Sequence, residues 1–250
     1  MDEQNTKRVV VTIPTYNEKE NIGELIREIL VLPLPGYDLR ILVVDDNSPD
    51  GTAEVASQIA KNESRVQVLL REKRRGRGAA GIDGFKAAVT LHPELVIEMD
   101  GDFSHQPRFI PDLIAASSVY DVVLGSRFVK GGKDADRNFA RKFITYLVRK
   151  FIRSQFHFHV KDVSSGYRCF KREVLERIDL DDLISVGPSL VLEILYKAYL
   201  RDFKIGEIPI VFIDRKKGKT KLNILTLVET LVMVLKFKRL YPRPDGAKPS

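Results

Sequence analysis

Apolar residues in the first half of the chain fall into short continuous runs separated by stretches with helical spacing. Val9 to Ile13 is a β-branched run, Asn21 to Leu30 places its apolar residues three and four apart, and Ile41 to Val44 is apolar throughout. Thr52 to Lys61 then reads as a helix, Val66 to Leu70 as a strand, Ala79 to Leu91 as a helix, Leu95 to Met99 as a strand, Phe109 to Val119 as a helix and Val122 to Leu124 as a strand. Continuous apolar runs predict strands buried on both faces. Their alternation with amphipathic helices predicts an α/β fold, a mainly parallel central sheet with helices on both faces. In such sheets ligands bind beyond the carboxyl ends of the strands.

Polar clusters fall at those ends. Pro14-Thr-Tyr16-Asn-Glu18 follows the first strand, Asp45-Asp46-Asn-Ser-Pro-Asp-Gly51 the second, and Asp100-Gly-Asp102-Phe-Ser104-His-Gln-Pro107 the fourth. Any one of them is also good turn and helix-cap chemistry; together on one edge they predict a pocket. Asp100 and Asp102 are separated by one residue where a strand ends, so both carboxylates point to the same side. Hard oxygens in that arrangement suit a Mg²⁺ or Mn²⁺ ion that keeps positions open for substrate phosphates.

With 250 residues, 44% of them hydrophobic, the chain can bury the core of one large α/β domain, or at most of two small ones. Its only cysteine, Cys169, has no partner for an internal disulfide, which predicts a reducing compartment. The polar start from Asp2 to Arg8 contains no apolar signal region, so a cytoplasmic location is expected. The net charge of +7 lies entirely in the last fifth: residues up to Leu200 hold 29 basic and 29 acidic side chains, and those from Arg201 hold 12 and 5. Such a basic end suits an anionic membrane, a phosphorylated substrate or nucleic acid, but no nucleic-acid-binding motif is present and none is expected as a partner. The segment Leu222 to Leu240 is helical in pattern and apolar on most sides, but Glu229 and Lys236 interrupt it. It falls short of the roughly 20 consecutive apolar residues of a membrane span. It is expected either to pack on the core or to lie at a membrane surface with Lys236, Lys238 and Arg239 among the headgroups. The expected division is a catalytic domain over 1–221 and a helix with a basic tail over 222–250.

The ordered set Pro14-Thr-Tyr-Asn-Glu18, Val43-Val-Asp-Asp-Asn-Ser-Pro-Asp-Gly51, Gly76-Arg-Gly-Ala-Ala-Gly-Ile-Asp-Gly-Phe85, Asp100-Gly-Asp-Phe-Ser-His-Gln-Pro107, Gly125-Ser-Arg-Phe-Val-Lys-Gly-Gly132 and Val163-Ser-Ser-Gly-Tyr-Arg168 resembles family 2 glycosyltransferases of the polyprenyl-phosphate type, the dolichyl-phosphate mannose synthases among them. The resemblance implies a nucleotide-sugar-binding domain of the GT-A kind, a Mg²⁺ or Mn²⁺ cofactor, and inversion at the sugar carbon. Carried over by motif, it places Pro14, Tyr16, Glu18, Val44 and Asp46 around the donor nucleoside and Asp100, Asp102 and Ser104 around the metal. Asp102, Arg127, Arg141 and Arg215 would serve the transfer, with Asp100 and Lys221 among the groups that bind the donor or its phosphates. These roles suit the side chains: Tyr16 offers a flat face to a base, Glu18 and Asp46 accept hydrogen bonds, and arginines fit phosphate oxygens. The implied donor is GDP-mannose, with UDP-glucose as the alternative, and the implied acceptor is a dolichyl or other polyprenyl phosphate. A phosphate monoester has a second pKa near about 6, so the acceptor oxygen is already anionic and needs no general base. The enzyme would then sit peripherally on the cytoplasmic face of a membrane, reaching its lipid by surface binding or through a membrane-anchoring partner subunit.

Other features limit that reading. The chain has no tryptophan, which excludes the Gln-x-x-Arg-Trp signature of processive members and predicts single transfer. Relatives often carry a tryptophan shortly after the glycine pair that stands here at 131 and 132; Lys133 to Arg137 replaces that region. Gly76-x-Gly-x-x-Gly81 matches a dinucleotide fingerprint, but it follows the third strand and a basic segment instead of the first strand. His157 and His159 with Asp162 are too few for a zinc site and predict a strand or loop. His105 is expected to line the pocket or cap the following helix. Glu193, on an apolar helix, is expected to need a partner such as an arginine of the acceptor region, or to be partly exposed.

Overall fold

The β-branched run at the start forms β1 (Lys7–Thr15), followed by α1 (Lys19–Leu30), β2 (Tyr37–Asp45), α2 (Thr52–Ala60), β3 (Val66–Leu70), α3 (Arg77–Val89) and β4 (Leu95–Glu98). Then come α4 (Ile110–Ala116), β5 (Val122–Ser126), β6 (Lys133–Asp134), α5 (Phe139–Phe156), β7 (Arg168–Lys171), α6 (Arg172–Arg177), α7 (Leu190–Leu200), β8 (Ile205–Pro209), β9 (Val211–Phe212) and α8 (Ile224–Leu240). This computed structural model describes residues 6–72, 76–134, 139–185, 187–213 and 224–242, leaving aside the side chains of 139–143 and 224–227.

The central sheet has the order β3-β2-β1-β4-β7-β5-β8. Its pairings are parallel except where β7 runs antiparallel between β4 and β5. Strands β2 and β3 lie to one side of β1 and β4 to the other, so the chain reverses its direction of travel across the sheet between β1 and β4. That is where a crevice opens in folds of this type. A depression of about 330 Å³ lined by Lys7, Tyr37, Glu94 and Lys171 sits at the opposite, amino-terminal end of β1, away from that crevice.

Alternate residues of each strand serve the two faces. On one face Val10, Leu42, Val44, Val96 and Leu124 pack with Phe85 of α3, Ile152 and Phe156 of α5, the apolar side of α7, and Val234 and Phe237 of α8. On the other, Val9, Val11, Ile13, Ile41, Val43 and Ile97 pack with α1, α2 and α4. In α1 the buried residues Ile22, Leu25, Ile26 and Ile29 form a stripe at helical spacing.

The predicted strands and helices of the first half are all present, with ends shifted by a few residues. The helix expected from Phe109 begins instead with a 3₁₀ turn, Pro107–Phe109, and α4 ends at Ala116. Neither β7 nor α5 is marked by the sequence pattern. β7 is a short strand with one charged residue at each end, and α5 follows a run of charged residues that hides where its apolar periodicity starts. His157 is the left-handed residue (φ 57°) through which the chain leaves α5, so the two-histidine segment is a helix exit and not a metal half-site.

The helix α8 packs on the core along one side, as one of the two expectations had it, and leaves another side exposed. Val234 and Phe237 are fully buried, whereas Val228, Val232 and Leu235 are 51%, 57% and 54% exposed. No helix among the described residues is long and apolar enough to cross a membrane. The carboxyl ends of α8 and α5 meet where Lys238 Nζ donates to Gln155 Oε1 at 3.4 Å. Glu193 has no arginine partner among the described residues: it is fully buried and accepts from the backbone N–H of Ile184 and Ser185, both at 2.9 Å, and from the Tyr241 hydroxyl at 2.7 Å. That contact ties the residue following α8 to α7.

Candidate active site

The polar clusters at the strand ends are joined to one another. Thr15 Oγ1 donates to Asp45 Oδ2 at 3.0 Å, and the N–H of Asp46 donates to the Thr15 carbonyl at 3.0 Å. Asp50 accepts from the backbone N–H of Lys19 (3.1 Å) and of Thr52 (3.0 Å), and the N–H of Glu18 donates to Thr52 Oγ1 at 2.9 Å. The loop after β1 is thereby stapled to the loop after β2. The loop after β4 touches both sides of that junction: a Cβ placed on Gly101 would lie 3.2 Å from Thr15 Cγ2 and 3.5 Å from Glu18 Cγ. Tyr16 and Glu18 are half-buried beside it, with Glu18 Oε2 accepting from Asn21 Nδ2 at 2.9 Å. Pro14 is buried in β1, paired in register with Val44.

Two residues expected at the nucleoside are occupied differently. Val44 is fully buried in the core, and Gly84 of α3 packs so closely on it that an added Cβ would stand 3.0 Å from Val44 Cγ2. Its side chain is core, with no surface to offer a ligand. Asp46 is 2% exposed; Arg71 Nη1 donates to its Oδ1, and the N–H of Gly76 donates to its Oδ2 at 2.8 Å. Arg71 also donates through Nε to Asp83 Oδ2 at 2.9 Å. Asp46 therefore holds the glycine loop before α3. Gly76 stands at φ 92°, ψ 166°, a backbone conformation open to glycine alone.

The Asp-Gly-Asp loop is shaped from within. Phe103 is left-handed (φ 62°), and the N–H of Ser104 donates to Asp102 Oδ1 at 3.0 Å. The N–H of Asp100 donates to His105 Nδ1 at 3.0 Å, so His105 lines the site as a neutral ring with its proton on Nε2. Burial pushes its pKa down in the same sense. The ring stacks on Tyr167 at 5.0 Å, and the Tyr167 hydroxyl donates to the Gln106 carbonyl at 3.0 Å. Arg77, the first residue of α3, donates to Asp100, whose charge raises the arginine pKa. Gly166 leaves room for that guanidinium: an added Cβ would lie 2.9 Å from Arg77 Nη2 and 3.5 Å from His105 Cε1.

Beneath the site, Glu98 faces Arg168 across the β4–β7 ladder, both buried. Burial raises the Glu98 pKa and lowers that of Arg168 to about 10. Arg168 donates to the carbonyls of Val163, Ser165 and Val191, fixing the segment that carries Gly166 and Tyr167.

The donor set fits a hard divalent cation. Asp100 and Asp102 supply carboxylate oxygens, and Ser104 is 2% exposed with an Oγ that has no hydrogen-bond partner. No group of three His, Cys, Asp or Glu that could hold a metal is found among the described residues. Mg²⁺ and Mn²⁺ bound through one or two carboxylates keep positions for water and substrate oxygens.

Arg127, at the exit of β5, is held by Asp162. Its Nε and Nη2 donate to the two carboxylate oxygens at 2.8 Å each and its backbone N–H donates to Oδ2 at 3.0 Å. Burial alone would raise the Asp162 pKa, but these bonds keep it below the usual aspartate range. The Arg127 guanidinium lies over Phe212 (5.2 Å), whose ring meets His105 edge-on at 5.7 Å. Arg127 is thus two rings away from Asp100. Arg141 lies on α5, its side chain outside the described part, and Arg215 and Lys221 lie outside the described residues. In the sequence Arg77 looks like part of a basic turn and Asp162 only like a failed zinc ligand; an arginine opening a helix behind a glycine loop was the available signal for the first.

The family model described as glycosyl transferase family 2 matches residues 10–179. An undecaprenyl-phosphate mannosyltransferase of Micrococcus luteus is 35% identical over 230 residues, covering 92% of this chain and 93% of that protein. A polyprenol monophosphomannose synthase of Mycolicibacterium smegmatis is 34% identical over 232 residues, covering 92% and 86%. Glucosyl-3-phosphoglycerate synthase from Mycobacterium tuberculosis, solved with Mn²⁺, UDP-glucose and glycerol 3-phosphate, superimposes with a TM-score of 0.67 at 20% identity over 96% of this chain and 82% of its own. This likeness shows the fold, which is of the GT-A kind. Matched by the family model over more than half its length, and by relatives over nearly all of it, the chain belongs to glycosyl transferase family 2.

Proposed function

We propose that this enzyme transfers mannose from GDP-mannose to the phosphate of a dolichyl or other polyprenyl phosphate, inverting the sugar carbon and releasing GDP. The observation that carries the reading is the contact of the Asp100-Gly-Asp102 loop with Thr15 and Glu18 at the sheet's switch point. It sets a hard-oxygen site directly against groups suited to a nucleoside. The two relatives named for mannosyl transfer to polyprenyl phosphates supply the sugar and the acceptor.

In this reading Pro14, Tyr16 and Glu18 border the nucleoside, and Asp46 supports it from below through Arg71 and the glycine loop. Asp100, Asp102 and Ser104 would hold Mg²⁺ or Mn²⁺, whose contribution is to neutralise the departing diphosphate. His105 keeps Asp100 in place through its backbone, and Arg77 adds positive charge on the same side. Arg127, immobilised by Asp162, presents a fixed cation toward the acceptor phosphate. Arg141, Arg215 and Lys221 are assigned to phosphates by resemblance alone. The acceptor oxygen is an anion near neutral pH, so the protein's task is to bring two like-charged substrates together, and arginines perform it.

The enzyme would act at a cytoplasmic membrane surface. Val228, Val232 and Leu235 form an exposed apolar stripe on α8, and Ile144, Tyr146 and Leu147 are exposed on α5. Lys236, Lys238 and Arg239 flank the first stripe, a combination suited to acyl chains and anionic headgroups. A membrane-anchoring partner subunit would use the same face. The test is transfer of label from GDP-mannose and, separately, UDP-glucose to a polyprenyl phosphate in detergent, with Mn²⁺ or with EDTA. Metal-dependent labelled lipid from GDP-mannose is expected; transfer from UDP-glucose alone, or transfer indifferent to EDTA, would overturn the reading.

A further inference from the structure

Arg149 of α5 plays no part in the site formed at the strand ends, yet its surroundings are unusual. Its guanidinium carbon lies 3.4 Å from the centroid of the Phe128 ring. The side chain is half-buried, and its Nε and Nη1 are shut off from solvent with no hydrogen-bond partner among the described residues. Donors on a charged group left unsatisfied in that way are destabilising. The two carboxylates whose charge reaches it are committed elsewhere. Asp162 is fully engaged by Arg127 and Ser164, and Glu207 accepts from the backbone N–H of Lys161 and Asp162 at 2.6 and 2.7 Å. The charges that Arg149 does feel include those of two further cations, Arg127 and Arg153.

The neighbours of this guanidinium connect it to the site. Arg127 lies over the same Phe128 ring at 5.0 Å, so one aromatic ring carries both guanidiniums. From Arg127 the contacts continue through Phe212 and His105 to Asp100. In the other direction α5 leads to the exposed Ile144, Tyr146 and Leu147. Arg149 is thus linked to the reaction site through Arg127 and shares a helix with those exposed apolar residues.

We propose that Arg149, together with Arg127, binds the phosphate monoester of the acceptor. A dianionic phosphate that draws the guanidinium toward it would satisfy the unpartnered N–H groups with charge-assisted hydrogen bonds, offset the repulsion among the arginines, and leave the lipid chain running toward the exposed part of α5. The inference rests on the proposed acceptor class and adds to it a residue that no motif marks.

The test compares wild type, Arg149→Met and Arg149→Lys, each verified by its thermal midpoint, in transfer from GDP-mannose to farnesyl phosphate. Arg149→Met should raise the acceptor KM about tenfold or more, with the donor KM within twofold of wild type and partial recovery in Arg149→Lys. An unchanged acceptor KM, or a rise confined to the donor KM, would overturn the proposal, the second by assigning Arg149 to the donor diphosphate. If wild type forms no product, the proposed reaction fails but equilibrium binding still decides on Arg149. Farnesyl phosphate should bind more tightly than farnesol to wild type and lose that advantage in Arg149→Met; equal binding by both proteins would overturn the inference.

Discussion

The two sides of this molecule that would meet substrate are built in opposite ways. At the strand-end edge the carboxylates are engaged: Asp45, Asp46, Asp50, Asp100 and Asp162 each accept from a named neighbour, and the loops that carry them are joined to each other. Along α5 and α8 the reverse holds, with apolar side chains open to solvent and guanidinium nitrogens of Arg149 and Arg153 buried without partners among the described residues. The first side is preorganised, as electrostatic catalysis requires. In the proposed function the second side would meet lipid or an anionic ligand, so that chemistry and lipid access would fall on separate surfaces, joined through Arg127 and the rings around it.

That contrast can be broken most forcefully at the carboxylates. Asp102→Asn should reduce transfer by more than about 100-fold while leaving the thermal midpoint near wild type, since Asp102 makes its described bond to a backbone N–H that an amide oxygen also accepts. Steady-state rates with calorimetry check this. The next largest effect is structural. Asp162→Asn should lower stability by roughly 3–5 kcal/mol by leaving Arg127 buried without its ion partner, read by denaturant unfolding at neutral pH. The folded pKa of Asp162 is depressed, so its contribution is full above the unfolded value of 3.8 and is lost as pH falls through the lower folded value. Wild type should lose this advantage over Asp162→Asn in that acid window.

Membrane-side changes should act on binding alone. Replacing Lys236, Lys238 and Arg239 with glutamate should remove about 1 kcal/mol per basic residue from association with anionic vesicles, seen as loss of flotation with an unchanged unfolding midpoint. Flotation equal to wild type would remove the lipid-facing role of α8. The smallest expected effect is that of Gly166→Ala. The added methyl meets the end of the Arg77 side chain, which can move, so activity should fall only severalfold and stability little; a loss as deep as that of Asp102→Asn would show that Arg77 cannot be displaced.

Legibility in the sequence divides along the same line. The strands of the parallel sheet can be read because buried, continuous β-branched runs admit few alternatives, and the strand-end clusters can be placed because chain reversal puts them on one edge. At Val44 and Asp46 the motif alone does not tell whether a residue meets ligand or holds a loop; Val44 packs under Gly84, and Asp46 receives Arg71 and Gly76. The antiparallel β7, the helix α5 and the Arg127–Asp162 pair escape because they depend on contacts between residues far apart in the chain, which local periodicity does not record. The dual nature of α8 is visible in outline, since Val234 and Phe237 fall on one side of the helix and Val228, Val232 and Leu235 on another.

One measurement bears on the separation of surfaces most directly: mannosyl transfer from GDP-mannose to a short, water-soluble prenyl phosphate and to a long polyprenyl phosphate in vesicles, by wild type, Asp102→Asn and Leu235→Glu. Separate surfaces predict that Asp102→Asn is inactive with both acceptors, and that Leu235→Glu matches wild type on the soluble acceptor but fails on vesicles. Transfer by Asp102→Asn at near wild-type rate, or equal loss of both activities in a folded Leu235→Glu, would contradict it.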